Sequence, residues 1–233
     1  MDIKDKVIII TGASQGIGLA SAKLLSSLGA KVVMAARSGD IIKALEKELP
    51  DSLAIITDMH KPEDIKNMIK KTIEKYGRID ILINNAGQGM YGLVENIDIE
   101  NYKEIMDLNV YCVVRTMQEV IPIMRKQGGG MIVNISSGLT KMYIPGISAY
   151  SSTKYALNAI SLIARQELEK DNIIVSIIEP NITATNFAKN SIGSRPNWNP
   201  TARPDIDSAE LVADTIVQII KTGDAEVRVK SKN

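Results

Sequence analysis

Six short runs of almost unbroken β-branched and aliphatic residues constrain this chain more than any other feature. They span residues 7–10, 31–35, 53–56, 79–83, 131–135 and 173–178, and a weaker seventh covers 225–229. A strand with one wet face alternates apolar with polar side chains. These runs do not alternate, so each needs cover on both faces, which is the condition of a parallel sheet between two helical layers. The intervening stretches carry helical periodicity over 16–28, 40–49, 61–76, 150–170 and 208–221, with a long helix inside 99–126. Pro50, Gly77 and the run Gly128-Gly129-Gly130 supply the stops, and Asp207 or Ser208 can cap the last helix. Strand–helix alternation with right-handed crossovers predicts an α/β, doubly wound, three-layer α/β/α sandwich. Its seven-stranded parallel sheet has the order 3-2-1-4-5-6-7, and a ligand is expected at the carboxyl ends of strands 1 and 4.

At 233 residues the chain fits one domain, 1–233. Its formal net charge of +1 and lack of a dense Lys/Arg run give no footprint for nucleic acid. No apolar stretch approaches the ~18–20 residues that span a bilayer, and the N-terminus lacks the layout of a secretory signal. Cys112 is the only cysteine, so no internal disulfide can form. Together these features predict a cytoplasmic protein with no membrane partner. Residues 186–207, rich in Pro, Asn, Ser and Gly, are too long for an ordinary connection and are expected to form a lid.

The first apolar run ends in Thr11-Gly12-Ala13-Ser14-Gln15-Gly16-Ile17-Gly18. Gly12 permits a tight turn, Gly16 lets the backbone approach a pyrophosphate, and Gly18 lets the helix pack closely on the sheet. A pyrophosphate would then sit on free N–H groups at the helix start. Further on, Asn84-Asn85-Ala86-Gly87 ends the fourth run, Asn109 lies inside a helix, and Ser136-Ser137 ends the fifth. Tyr150-Ser151-Ser152-Thr153-Lys154 opens the next helix, and Pro180 begins a loop that reaches Thr185. This ordered set resembles the short-chain dehydrogenase/reductase family over nearly the whole chain. The resemblance implies a Rossmann-type fold and an oxidoreductase binding NAD(P)(H). Ser14, Gln15, Ile17, Asp58, Met59, Asn85, Ala86, Gly87, Pro180, Ile182 and Thr185 would join the glycines at the cofactor.

The second run ends Ala35-Ala36-Arg37-Ser38. Ala36 occupies the position where similar NAD enzymes carry an acid for the ribose 2′-hydroxyl. A guanidinium at 37 suits a 2′-phosphate instead, so NADP(H) is favoured, with NAD(H) the alternative. A basic residue that some NADP-preferring relatives carry in the turn is replaced by neutral Gln15.

Hydride transfer to a carbonyl leaves an oxyanion that needs a proton. Tyr150 and Lys154 are four residues apart and share one helix face, where an ammonium lowers the pKa of a phenol. The resemblance assigns Tyr150 as acid/base, Lys154 as its tuner, Ser137 as the anchor of the carbonyl, and Asn109 as a link through water to Lys154. It also implies a small-molecule carbonyl or secondary alcohol substrate, and a homodimer or homotetramer paired through helices 99–126 and 150–170. Relatives carry Gly after the loop proline. Asn181 stands there and is expected to tolerate a positive φ. Met90, Tyr91, Met142, Tyr143, Phe187 and Trp198 are candidates for an apolar substrate pocket. His60 reads as a surface residue, and one His with one Cys suggests no metal cluster. The rivals are a dinucleotide-sensing protein without turnover and an epimerase or dehydratase on the same fold.

Overall fold

Where β-branched residues run together, the chain forms strands, and the computed structural model, which describes residues 1–194 and 206–230, assembles seven of them into one parallel sheet. The strands are β1 (Val7–Thr11), β2 (Lys31–Ala36), β3 (Leu53–Ile56), β4 (Ile81–Asn84), β5 (Gly130–Ile135), β6 (Ile173–Glu179) and, after two minor strands, β9 (Glu226–Arg228). The order is β3-β2-β1-β4-β5-β6-β9, with every pairing parallel. The predicted order therefore holds, with β9 as the seventh member. The minor strands β7 (Ile182–Thr183) and β8 (Ile206–Asp207) pair only with each other.

Helices α1 (Gly16–Ser27), α2 (Gly39–Glu48) and α7 (Ala209–Thr222) cover one face of the sheet. Helices α3 (Pro62–Tyr76), α5 (Cys112–Lys126) and α6 (Ser148–Leu168) cover the other. Ile8 and Ile10 of β1 face the first layer and Val7 and Ile9 the second, which is why the run has no polar alternation. Each such fully buried aliphatic side chain contributes roughly 1.5–3 kcal/mol. This is the doubly wound Rossmann-type sandwich, and its cleft opens at the carboxyl ends of the strands.

Two boundaries differ from expectation, and of the two caps expected for α7 one is used. The fourth strand starts at Ile81, because the backbone N–H and C=O of Ile79 are taken by the Gln127 side chain at 3.0 and 2.8 Å. The stretch 99–126 is not one helix. It is α4 (Ile99–Met106), a π-helical turn (Asp107–Tyr111) and α5. Ser208, not Asp207, caps α7: its hydroxyl accepts from the Leu211 N–H at 3.0 Å.

Candidate active site

The glycine-rich turn has the geometry its residues demand. Gly12 and Gly16 hold φ of +67° and +54°, where side-chain-bearing residues are strained. A Cβ on Gly18 would stand 2.4 Å from the Gly12 carbonyl oxygen, so only glycine lets α1 sit this close to β1. Gln15 precedes the helix without a side-chain cap, and the first turn of α1 holds no acid. Its N–H groups and positive dipole end therefore suit a pyrophosphate.

The turn opens onto a cleft of ≈ 1120 Å³. Gly12, Ser14, Gln15, Gly16, Ile17, Arg37, Ser38, Asp58, Met59, Asn85, Ala86, Gly87, Ser137, Tyr150, Lys154, Pro180, Ile182 and Thr185 all line it. Gly18 and Asn109 stand behind this lining, Gly18 packed on the turn and Asn109 fully buried.

Asn85 also ties strand ends together. Its amide donates to the carbonyls of Thr11 and Gly12 at 2.9 and 3.2 Å, and the N–H groups of Asn85 and Ala86 both donate to Thr11 Oγ1 at 3.0 Å. Asn84 is purely internal, donating to Asn134 and accepting from Thr116. Asp58 faces the cleft while its carboxylate accepts from the His60 N–H at 3.1 Å, so a lining and a turn-forming role coexist.

Two serines end β5, and the structure separates them. Ser136 commits its hydroxyl to Asn158 Oδ1 at 2.5 Å. Ser137 Oγ accepts from the Leu139 N–H at 3.2 Å and is hydrogen-bonded to the Tyr150 hydroxyl. Tyr150 is 8% exposed, with its ring tilted on Phe187 at a centroid separation of 5.5 Å. Lys154 Nζ lies 5.9 Å from that ring's centroid and donates one hydrogen bond, to the Ile135 carbonyl at 2.9 Å.

The electrostatics depart from expectation. Burial pushes the Tyr150 phenol up, and the hydrogen bond with Ser137 only partly opposes it. On the phenol, burial is the dominant effect. Burial pushes the Lys154 ammonium down, to about 8. A buried pair with no fixed anion nearby favours the uncharged form of both groups.

Asn109 sits in the π-helical turn. Its amide donates to the Gln88 carbonyl at 2.8 Å and to Thr153 Oγ1 at 3.1 Å, and its oxygen accepts from the Gln88 N–H at 2.9 Å. Both donors are used on protein, which leaves one lone pair for water.

Other expectations need correction. Asn181 does not adopt a positive φ. The turn survives because its amide reaches Asp207 Oδ2 at 3.2 Å and the Val229 carbonyl at 3.0 Å. Tyr143 is 92% exposed and does not line the cleft, whereas Tyr91, Met142 and Phe187 do. Met90 lines the cleft while packing with Ile105 and Ala149. Trp198 lies outside the described residues, as do 195–205 of the expected lid. The described part, 186–194, is clasped to the loop after β4 through a Met90–Ile192 bridge, with Tyr91 N–H to Ile192 O at 2.9 Å.

His60 is no idle surface group. It lines the cleft, and its Nδ1 meets Asp107 Oδ2 at 2.9 Å. His60, Asp107 and Cys112 bring three potential ligand atoms within 4.8 Å of one another. Arg115 fills the cationic role there, donating to Asp107 at 2.8 Å and to Cys112 Sγ at 3.6 Å. Burial and the Asp107 charge push the thiol up to about 12.

Sequence reasoning missed Glu179. It is 1% exposed at the end of β6, accepting from Thr140 Oγ1 at 2.5 Å and from the Asn158 amide at 3.0 Å. The Thr140 N–H donates to the Ser137 carbonyl at 3.1 Å, so Glu179 braces the turn that carries Ser137. The available signal was a lone acid closing an otherwise aliphatic strand, just before Pro180.

Comparison with known proteins agrees with this geometry. The short chain dehydrogenase family model matches residues 6–195. An uncharacterized oxidoreductase of Staphylococcus saprophyticus is 38% identical over 188 residues, covering 79% of this chain and 76% of that protein. Another, from Staphylococcus aureus, is 31% identical over 221 residues and covers 93% of each. The crystal structure of a short-chain dehydrogenase from Streptomyces avermitilis superposes with a TM-score of 0.85 at 29% identity, covering 98% of this chain and 89% of that one. The chain belongs to the short-chain dehydrogenase family of oxidoreductases.

Proposed function

We propose that the protein is an NADP(H)-dependent oxidoreductase that interconverts a carbonyl and a secondary alcohol on a small molecule, through Ser137, Tyr150 and Lys154 with Asn109 in support. The observation that carries this reading is the convergence of those three cleft-lining residues beside a glycine turn built to receive a dinucleotide. A bound nicotinamide dinucleotide supplies or accepts the hydride. The chain's part is to hold the carbonyl and move the proton. The Ser137 hydroxyl, which faces Tyr150, donates to the substrate oxygen, and the Tyr150 phenol gives that oxygen its proton as charge develops. The raised phenol pKa keeps the proton on Tyr150 until then, which suits an acid in the reducing direction. Lys154 has donors beyond its bond to Ile135 and can hold the ribose. Asn109 fixes the Gln88 backbone and Thr153, and with them the α6 turn that bears Tyr150 and Lys154.

Arg37 supports the choice of NADP(H). It lines the cleft at the end of β2, and Ala36 offers no carboxylate to repel a 2′-phosphate. NAD(H) is the alternative: a structure from Burkholderia phymatum with TM-score 0.88 and 21% identity is described as a complex with NAD. The chain acts as one nucleotide-binding unit with 186–207 as its lid, in the cytoplasm, where the lone buried thiol Cys112 stays reduced. It self-associates as a homodimer or homotetramer. Exposed apolar side chains on the paired helices, Tyr111, Tyr155 and Ile163, support that arrangement.

The test is carbonyl reduction across ketones, diketones and aldehydes, with kcat/KM compared for NADPH and NADH. Wild type should turn over and prefer NADPH. Tyr150→Phe should lower kcat by about 10²–10⁴-fold while dinucleotide binding persists. Near-normal turnover by Tyr150→Phe would exclude the mechanism, and a clear NADH preference would exclude the role of Arg37. Binding without any turnover would favour a dinucleotide sensor.

A further inference from the structure

Arg228 and Lys230 place two positive charges at one end of the cleft. Among the described residues, no carboxylate forms an ion pair with either. The nearby acids are engaged elsewhere. Glu226 pairs with Lys141 at 2.9 Å, Glu179 is buried against Thr140 and Asn158, and Asp207 binds Asn181. Arg228 itself is exposed, and among the described residues its side chain hydrogen-bonds to the neutral Asn181 Oδ1, at 3.4 and 3.3 Å.

Its position is specific. Arg228 lies beside Glu179 in the β6–β9 ladder, at the mouth of the Pro180–Asn181 turn. Its Nη2 stands 3.7 Å from where a Cβ on Gly138 would be, and Gly138 directly follows Ser137. A Cβ there would also stand 3.2 Å from Asn181 Oδ1 and from the Pro180 carbonyl oxygen, so glycine at 138 lets the guanidinium and Asn181 close against the turn that carries Ser137. The adjoining wall, Leu139, Met142, Ile144 and Val229, is apolar. This cation does not serve the dinucleotide phosphates. The glycine turn follows β1 and Arg37 ends β2, whereas Arg228 sits on β9 at the far edge of the sheet.

We propose that the substrate is a keto acid, or the matching hydroxy acid, whose carboxylate is bound by Arg228 while its carbonyl rests on Ser137 and Tyr150. A guanidinium presents paired N–H groups that match the two oxygens of a carboxylate, and the weak contact to Asn181 is readily exchanged for a charged one. Lys230 adds attraction without fixed geometry. The apolar wall accommodates the carbon chain between the two ends. This inference rests on the hydride-transfer reading and adds a substrate class to it.

The experiment compares kcat/KM for keto acids of increasing chain length with their methyl esters, using NADPH, in wild type, Arg228→Gln and Arg228→Lys. Wild type should prefer at least one acid over its ester by about tenfold. Arg228→Gln should bring that ratio close to one, and Arg228→Lys should retain part of it. An ester reduced as well as its acid by wild type, at every length, overturns the proposal, as does an undiminished ratio in Arg228→Gln. Reduction of the esters by wild type reports separately on the hydride-transfer reading. If neither series turns over, calorimetric titration of the acids and esters into the protein–NADP⁺ complex decides. Acid-selective binding that is lost in Arg228→Gln supports the carboxylate site, and equal binding of acid and ester rejects it.

Discussion

Lys154 holds its ammonium where the surroundings disfavour it. Burial lowers its pKa to about 8, against 10.5 for an unhindered lysine. An unfolded chain keeps that proton up to about pH 10.4, while the folded chain releases it near 8. Across that window the unfolded state binds more protons, so stability rises with pH. The penalty is present in full below about 8 and is relieved above it. The buried Tyr150 phenol, raised in pKa, acts oppositely above about pH 10, where the unfolded chain deprotonates first. Replacing Lys154 with Met removes the lysine contribution. The melting temperature of wild type minus that of Lys154→Met should therefore climb between pH 7.5 and 9.5, read by calorimetry over about that range. A flat difference would mean the ammonium is solvated. At this scale the sequence was informative about which residues meet, and Ser137, Tyr150 and Lys154 do converge. It carried less about their protonation, because burial raises the phenol's pKa. Spacing along a helix reports proximity, whereas the phenol's pKa depends on the depth of burial that the whole fold creates.

At the scale of elements, the π-helical turn Asp107–Tyr111 has the largest consequence. One extra residue per turn opens the backbone enough to aim Asn109 at Gln88 and Thr153, while α5 still lays Val113, Met117 and Val120 against the sheet. Deleting Tyr111, whose side chain is 52% exposed, should let α4 and α5 merge into a regular α-helix. The widened backbone around Asn109 then closes, which withdraws its side chain from Gln88 and Thr153. The expected outcome is a fall in kcat of about a hundredfold or more, with the helical signal of far-ultraviolet circular dichroism retained. Activity within a few-fold of wild type would show that the turn does not position Asn109. The turn was invisible in the sequence because apolar spacing over 99–126 fits an uninterrupted helix almost as well. The Asn181 loop was opaque for a related reason. Its conformation is set by Asp207 and Val229, residues distant in the chain that no local pattern identifies.

For the molecule as a whole, the sheet was the most legible part. Unbroken aliphatic runs leave little choice but a parallel sheet covered twice, and the order followed from right-handed crossovers. The segment after Thr185 was the least legible, because turns rich in Ser, Asn and Gly place their residues through contacts across the cleft. Self-association also belongs to this scale. Ile163 on α6 is 58% exposed and would be covered in the proposed assembly. Ile163→Glu should shift the protein toward monomer in sedimentation velocity at micromolar concentration. A monomeric wild type, or an unaffected assembly, would refute pairing through this helix.

The clasp between Met90 and Ile192 couples the two halves of the cleft. Gln88, whose backbone is gripped by Asn109, also reaches the Asn190 carbonyl through its side chain at 2.9 Å. The loop after β4 therefore ties the buried Asn109 to the 186–194 rim of the cleft.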